Sequence, residues 1–299
     1  MHRFILYPIP TLRICPWILS LLAMAMLSLP GCASKLQSSL IEPLINDLST
    51  ATAHHRDIDL VIDGLPSFLL LLDGLIENNP QNKRLLLKAS EAYASYAVLV
   101  EIDDTQRARQ LYQRAKEYGL RALSLGKKRA NKLQSTYTDF TQFIDALESS
   151  DLPAAFWTAS SWGAWISTSG ESMSAIAELP KVIDLMRWVL AQDETFQHGS
   201  PHIFLGVYHS TLPQSIGGDP QKALWHFDQA LAISKGQMLM VYVLKAEYYA
   251  RQIFDRAMYE SLLNKVLNTP ADLVPKLTLQ NIGAQKKARI LLAKTNDFF

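Results

Sequence analysis

The sequence predicts an all-α protein built as an array of helical hairpins, and three observations carry that prediction. Apolar residues recur at spacings of three and four along almost the whole chain. Strict apolar–polar alternation is nearly absent, and no strand–helix–strand rhythm can be drawn. Turn and cap residues fall between most of the apolar stripes rather than inside them. With 48% hydrophobic and 19% charged residues in 299, the chain has enough apolar surface for a large core and does not have the composition of a disordered one.

The first stripe is Leu40, Leu44 and Leu48, flanked by Ile41 and Ile45. The second runs Val61, Leu65, Phe68, Leu72, Leu75 and Ile76, with Pro66 read as a kink or restart. After the break Asn78-Asn79-Pro80 come Leu86, Ala89, Tyr93, Tyr96 and Val100. Ile102-Asp103-Asp104 reads as a helix start that complements the macrodipole of the next stripe: Ala108, Leu111, Tyr112, Ala115, Gly119 and Ala122. Leu133, Tyr137, Phe140, Ile144 and Leu147 continue to the turn Ser149-Ser150-Asp151. Asp151 shortly before Pro153, and Asp219 directly before Pro220, place an N-cap acceptor ahead of a proline that a first helical turn tolerates.

Hairpins of this length suggest a degenerate tetratricopeptide-like array, in which small residues at set places let two helices approach closely. Ala223, Phe227 and Ala230 give the small–aromatic–small triplet of a second helix, with Leu205-Gly206 in the helix before. Ala108, Tyr112 and Ala115 repeat the triplet at the same spacing, and Gly163 lies twelve residues before Ala175. Tyr248, Tyr249, Ala250 and Ala257, leading to Pro270, make a fourth pair.

The amino terminus has a different character. Arg3 and Arg13 precede an apolar run from Ile14 to Leu27, the layout of a secretory signal peptide. The run ends in Ser28-Leu29-Pro30-Gly31-Cys32, which resembles a bacterial lipobox with Cys32 as the acylated residue. We therefore expect residues 1–31 to be a lipoprotein signal peptide and 32–299 a helical domain. Lipid chains at Cys32 would hold it at a membrane, each buried methylene contributing about 0.8 kcal/mol. Cys15 falls in the discarded segment, so the two cysteines form no disulfide framework and no cysteine-rich zinc site. Ala33 is not the aspartate that retains lipoproteins at the inner membrane, which points to the outer membrane with a periplasm-facing body.

Charge and motifs narrow the function classes. The balance of 29 Lys+Arg against 28 Asp+Glu lacks the footprint of a dedicated nucleic-acid binder. No G-x-S-x-G, H-E-x-x-H, G-x-x-x-x-G-K-[ST] or G-x-G-x-x-G string occurs, so no catalytic residue and no cofactor is predicted. His54-His55 point apart on a helix, and Pro201 places a helix start between His198 and His202, so the histidines read as packed or solvated and no metal site is predicted. The cluster Lys127-Lys128-Arg129-Lys132 reads as a solvated face. Trp157, Trp162 and Trp165 fall within nine residues, and Trp162 and Trp165 share a helix face. They read first as packed core and second as the lining of a cavity for an apolar ligand.

Several strings, taken in order, resemble the T component associated with TRAP transporters. They are Asp63-Gly64-Leu65-Pro66 with Gly74-Leu75 and Pro80; Tyr93, Tyr96 and Asp103-Asp104; Trp162 and Trp165; Leu179-Pro180 with Met186-Arg187; Leu205-Gly206 through Pro213 to Gly217-Gly218-Asp219-Pro220; and Asn281, Ala284-Gln285 and Ala288-Arg289. The resemblance implies a non-enzymatic periplasmic lipoprotein, an oligomeric scaffold of the trimeric kind, that binds a solute-binding P component and passes an organic or apolar ligand. Trp162, Trp165, Tyr208, Gly217 and Gly218 are the candidate ligand or partner residues, the glycine loop shaping a channel mouth or docking surface. The competing expectations are a pilot lipoprotein for an envelope assembly or secretion system, and an enzyme with a dispersed site.

Overall fold

The computed structural model describes residues 43–125, 136–170 and 172–299. Cys32, the stripe positions Leu40, Ile41 and Leu133, and the cluster Lys127-Lys128-Arg129-Lys132 lie outside the described residues. The chain divides into two units, Met1–Ala51 and Thr52–Phe299. Residues 43–51 of the first unit are helical. The second unit is all-α, with no strand among the described residues.

Three long helices open the second unit: α1 (Ile58–Asn78), α2 (Lys83–Glu101) and α3 (Thr105–Ser124). Each starts on a side chain that takes up orphan backbone amides. Asp57 accepts from Asp59 and Leu60, Asn82 from Arg84 and Leu85, and Asp104 from Arg107. Pro66 does not end α1, which runs 21 residues through it. A proline cannot donate to the carbonyl four residues back. Here the Tyr96 hydroxyl donates to that carbonyl, Ile62 O, at 3.1 Å, so a partner helix supplies the missing donor and the helix continues. Ala89, Ala97, Ala108 and Ala115 are fully buried between these helices.

Beyond α4 (Tyr137–Asp145) the chain enters α5 (Leu152–Thr168), which packs on α3. A Cβ at Gly119 would overlap Thr158 Oγ1, so the backbones meet where the sequence is smallest. Asp151 stands at the N-cap of α5 without capping it by side chain. Its carboxylate, 1% exposed, instead accepts from the Glu148 amide and from Lys83 Nζ at 2.6 Å. The sequence expectation for Asp151 is corrected on that point: pairing with a lysine of α2 outcompetes the local cap.

The helices α6 (Leu179–Gln192), α7 (Phe196–Thr211) and α8 (Pro220–Ile233) follow. Asp219 caps α8 by accepting from Gln221 and Lys222, ahead of Pro220. The start of α7 is irregular. Gln197, His198 and Gly199 all take left-handed conformations, and regular helix begins around Pro201. For the two non-glycines this costs about 1–2 kcal/mol each. The triplet residues Ala223, Phe227 and Ala230 are fully buried, and Phe227 lies flat against Gly206, where a Cβ would stand 3.2 Å from the ring. Phe204 fills the corresponding space at Gly163. This close approach of small residue and aromatic is compatible with tetratricopeptide-like pairing.

The last part holds α9 (Met240–Leu244), a π-helical turn Lys245–Ala250, α10 (Arg256–Asn268) and α11 (Thr278–Ala293). Asn281, 1% exposed, ties this region together. Its Oδ1 accepts from the Leu239 amide, and its Nδ2 donates to Gln237 O and Ala271 O, all at 3.0 Å. The array then meets its own beginning. Leu279 of α11 packs with Ile58, Val61 and Leu99, and Lys286 Nζ reaches Asp103 at 2.5 Å. Burying each such apolar side chain contributes roughly 1.5–3 kcal/mol.

Candidate ligand and partner site

Three side-chain clusters have the chemistry to recognise another molecule. The first is built on α3 and α5. Trp162 and Trp165 stand three residues apart on one face of α5, and Lys116 of α3 extends between them. Its ammonium lies 3.8 Å from the Trp165 ring centre and 5.3 Å from that of Trp162. Glu178 closes the box: its Oε2 accepts from Trp162 Nε1 at 2.5 Å and lies 3.5 Å from Lys116 Nζ. Phe140 of α4 meets Trp162 edge-on at 5.9 Å. Burial pushes the Lys116 ammonium below its usual pKa, with Glu178 pulling the other way. The cluster is an aromatic cage filled by the chain's own cation. A ligand reaching both indole faces would have to displace Lys116, a pairing 46 residues away that no local spacing announces.

The second cluster lies where α7 turns into α8. Gly217 has φ +109°, and a Cβ there would stand 2.5 Å from the Tyr208 hydroxyl oxygen. A Cβ on Gly218 would overlap the Leu212 carbonyl. Both glycines are thus required by close approach. The Gly218 amide donates to Pro213 O at 3.0 Å and the Asp219 amide to His209 O at 2.9 Å, folding the loop back on the end of α7. Tyr208, Gly217 and Gly218 therefore come together, while Trp162 and Trp165 belong to the other cluster.

Beside that loop stand three histidines, each packed, whose grouping local spacing does not announce. His202, His209 and His226 are 1%, 7% and 7% exposed. His202 Nδ1 and His226 Nδ1 share a hydrogen bond of 2.9 Å, and His202 Nε2 lies 3.4 Å from Glu194 Oε2. The His209 and His226 rings stack at 5.7 Å and 10°, and His209 Nδ1 bonds Gly217 O at 3.0 Å. Burial holds all three below the usual histidine range. For His226, the neighbouring His202, His209 and Arg187 add to burial and carry it down to about 4. Trp225, 52% exposed, sits edge-on against both His202 and His226.

A third cluster gathers where the early and late helices meet. Tyr112 Oη donates to Glu101 Oε2 at 2.5 Å, and Glu247 of the π-helical turn pairs with Lys287 of α11 at 2.6 Å. Burial, followed by nearby carboxylates, raises the hydroxyl pKa of Tyr112 and of Tyr248. Elsewhere an open depression of about 540 Å³ is lined by Thr195, Gln197, His198 and Ile233, beside the left-handed turn of α7. Among the described residues, no group of three His, Cys, Asp or Glu is placed to hold a metal ion, and no helix is long and apolar enough to cross a membrane.

Residues 54–299 match the family described as TRAP transporter T-component, the whole helical body from just before α1 to the carboxyl end. The chain belongs to that family. It is also similar to a protein of Treponema pallidum (strain Nichols), described as uncharacterized, at 23% identity over 280 residues covering 85% of this chain and 84% of the relative. This T-component therefore has its place in TRAP-type transport. Its Lys116 cage, histidine-backed loop and tyrosine–carboxylate cluster all fall within the matched residues.

Proposed function

We propose that this T-component is the lipid-anchored, periplasm-facing scaffold of a TRAP-type uptake system. In this reading Cys32 carries the acyl chains, the outer membrane is the site of attachment, and residues 32–299 form the working body. The body docks a solute-binding P component and passes it a small organic or apolar ligand. It catalyses no reaction, and several copies assemble, a trimer being the form that the family resemblance implies.

The family match over residues 54–299 carries this reading, and the lipobox-like string ending at Cys32, ahead of the matched residues, supports the anchor. The α7–α8 loop supports a docking role. Pro213, Gln214, Ser215 and Gly217 are exposed, and Trp225 on the same hairpin presents half of its ring to solvent. Exposed aromatics of this kind are suited to protein contact.

Two measurements test it. Labelled palmitate supplied to cells should enter the wild-type chain and not Cys32→Ser. A version with residues 213–218 replaced by a short turn should keep its helical circular dichroism and lose the P component in a pull-down. P-component binding unchanged by that replacement would remove the loop from the interface. An unlabelled wild-type chain would remove the anchor.

A further inference from the structure

The histidines behind the loop are arranged so that their proton count matters. Two Nδ1 atoms 2.9 Å apart can bond only if one carries a proton and the other a lone pair. With both rings neutral, His226 Nδ1–H donates to His202 Nδ1, and His202 Nε2–H faces Glu194. One added proton is tolerated. It makes His202 a cation that donates to Glu194 on one side and, with the bond reversed, to His226 on the other. A second proton leaves two N–H groups facing each other and no acceptor between them. It also sets a charged ring flat against His209, whose Nδ1 holds the Gly217 carbonyl.

We propose that the His202–His226–His209 stack is an acid-operated latch on the Gly217–Gly218 loop, closed while the rings share one proton or none and released by the next. The groups facing the stack set its sense. Arg187 of α6, paired with Asp184, adds positive charge beside His209 and His226. Glu194 faces His202 alone. At the loop, Asp219 and Lys222 form an ion pair of 3.1 Å, and their effects on His209 oppose each other. Lys245 of the π-helical turn is paired at 2.6 Å with Asp228, which lies about 200° around α8 from His226. Among the described residues no carboxylate therefore stabilises the charged form of His226, and burial opposes it further.

The sign follows from linkage. Rings held below their unfolded pKa take up protons more readily once released, so the closed latch is fully stable above about pH 6.5 and weakens as pH falls toward 4. The latch belongs to the hairpin itself and holds whether or not the loop docks a partner.

Amide hydrogen exchange on the mature chain, expressed as protection factors at pH 7.5, 6.5, 5.5 and 4.5, reads it directly. Protection of the Gly218 and Asp219 amides should fall at least about tenfold between pH 6.5 and 4.5, while the buried amides of α2 and α3 hold. His226→Gln keeps a ring-sized polar group that cannot be charged, and should make the loop's protection flat over that range. Imidazole NMR of the wild-type chain needs no variant and should show one ring of the stack still neutral at pH 5. Flat loop protection in the wild type, an unchanged fall in His226→Gln, or all three rings titrating near 6.5 would each overturn the proposal.

Discussion

The Tyr96 hydroxyl donates to the Ile62 carbonyl at 3.1 Å, occupying the place of the amide that Pro66 does not have. A helix interrupted in its own hydrogen bonding is completed by its neighbour, so the pairing of α1 with α2 is written into a proline. Arg107 Nη2 in turn donates to Tyr96 Oη at 3.1 Å and brings α3 to the same point.

This relationship predicts a coupled pair. Tyr96→Phe should cost about 1–3 kcal/mol by leaving a largely enclosed carbonyl without a donor. In a Pro66→Ala background the helix can supply its own amide, and the same change should cost at least about 0.5 kcal/mol less. Urea denaturation of the four chains gives the cycle. Equal costs in both backgrounds would show that the hydroxyl does not stand in for the amide.

The indole cage predicts unequal partners. Trp162→Ala empties a buried site and should cost about 3–5 kcal/mol. Lys116→Met keeps the stem packed and removes an ammonium whose burial opposes its attraction to the rings and to Glu178, so stability should change by less than about 1 kcal/mol. Thermal melts compare them, and a large loss in Lys116→Met would mean that the cation holds the cage together.

At the α7–α8 turn the two glycines should respond differently. Gly217→Ala meets both a left-handed φ and the Tyr208 hydroxyl, and should cost about 1–3 kcal/mol. Tyr208→Phe in the same chain removes the oxygen and should recover part of that loss. Gly218→Ala meets backbone at Leu212 and should not be recovered by any side-chain change nearby. Denaturation midpoints of these variants sort side-chain from backbone conflict.

Asn281 should be among the least replaceable residues of the late helices. Asn281→Leu strands the Leu239 amide and the Gln237 and Ala271 carbonyls, and should cost at least about 3 kcal/mol. The signature is loss of exchange protection at Leu239 ahead of the α2–α3 pair. Uniform loss across the chain would argue against a local clasp.

The all-α class was legible because helix periodicity and cap residues are local, and Asp104 and Asp219 cap as their positions predict. The small residues Gly206 and Ala223 also declared their packing, since close approach leaves a mark on composition. Pro66 does not restart the helix because Tyr96, thirty residues away on another helix, donates to Ile62 O, and local spacing does not announce that pairing. The π-helical turn at Lys245–Ala250 was hidden because one extra residue in a turn shifts the apolar period by less than the tolerance of the pattern. At the candidate sites, the grouping of Tyr208 with Gly217 and Gly218 lay within ten residues and could be read. Lys116 between two tryptophans, and three histidines in one stack, depend on which helices meet, and spacing does not encode that.

In the proposed function this family member works as a TRAP scaffold holding a solute-binding protein at the envelope. Tagged full-length chain, purified from native membranes in mild detergent and analysed by mass spectrometry, tests it most directly. We predict a TRAP solute-binding protein in near-stoichiometric amount, lost when residues 213–218 are replaced. Recovery of secretion or envelope-assembly subunits with no TRAP component would contradict it.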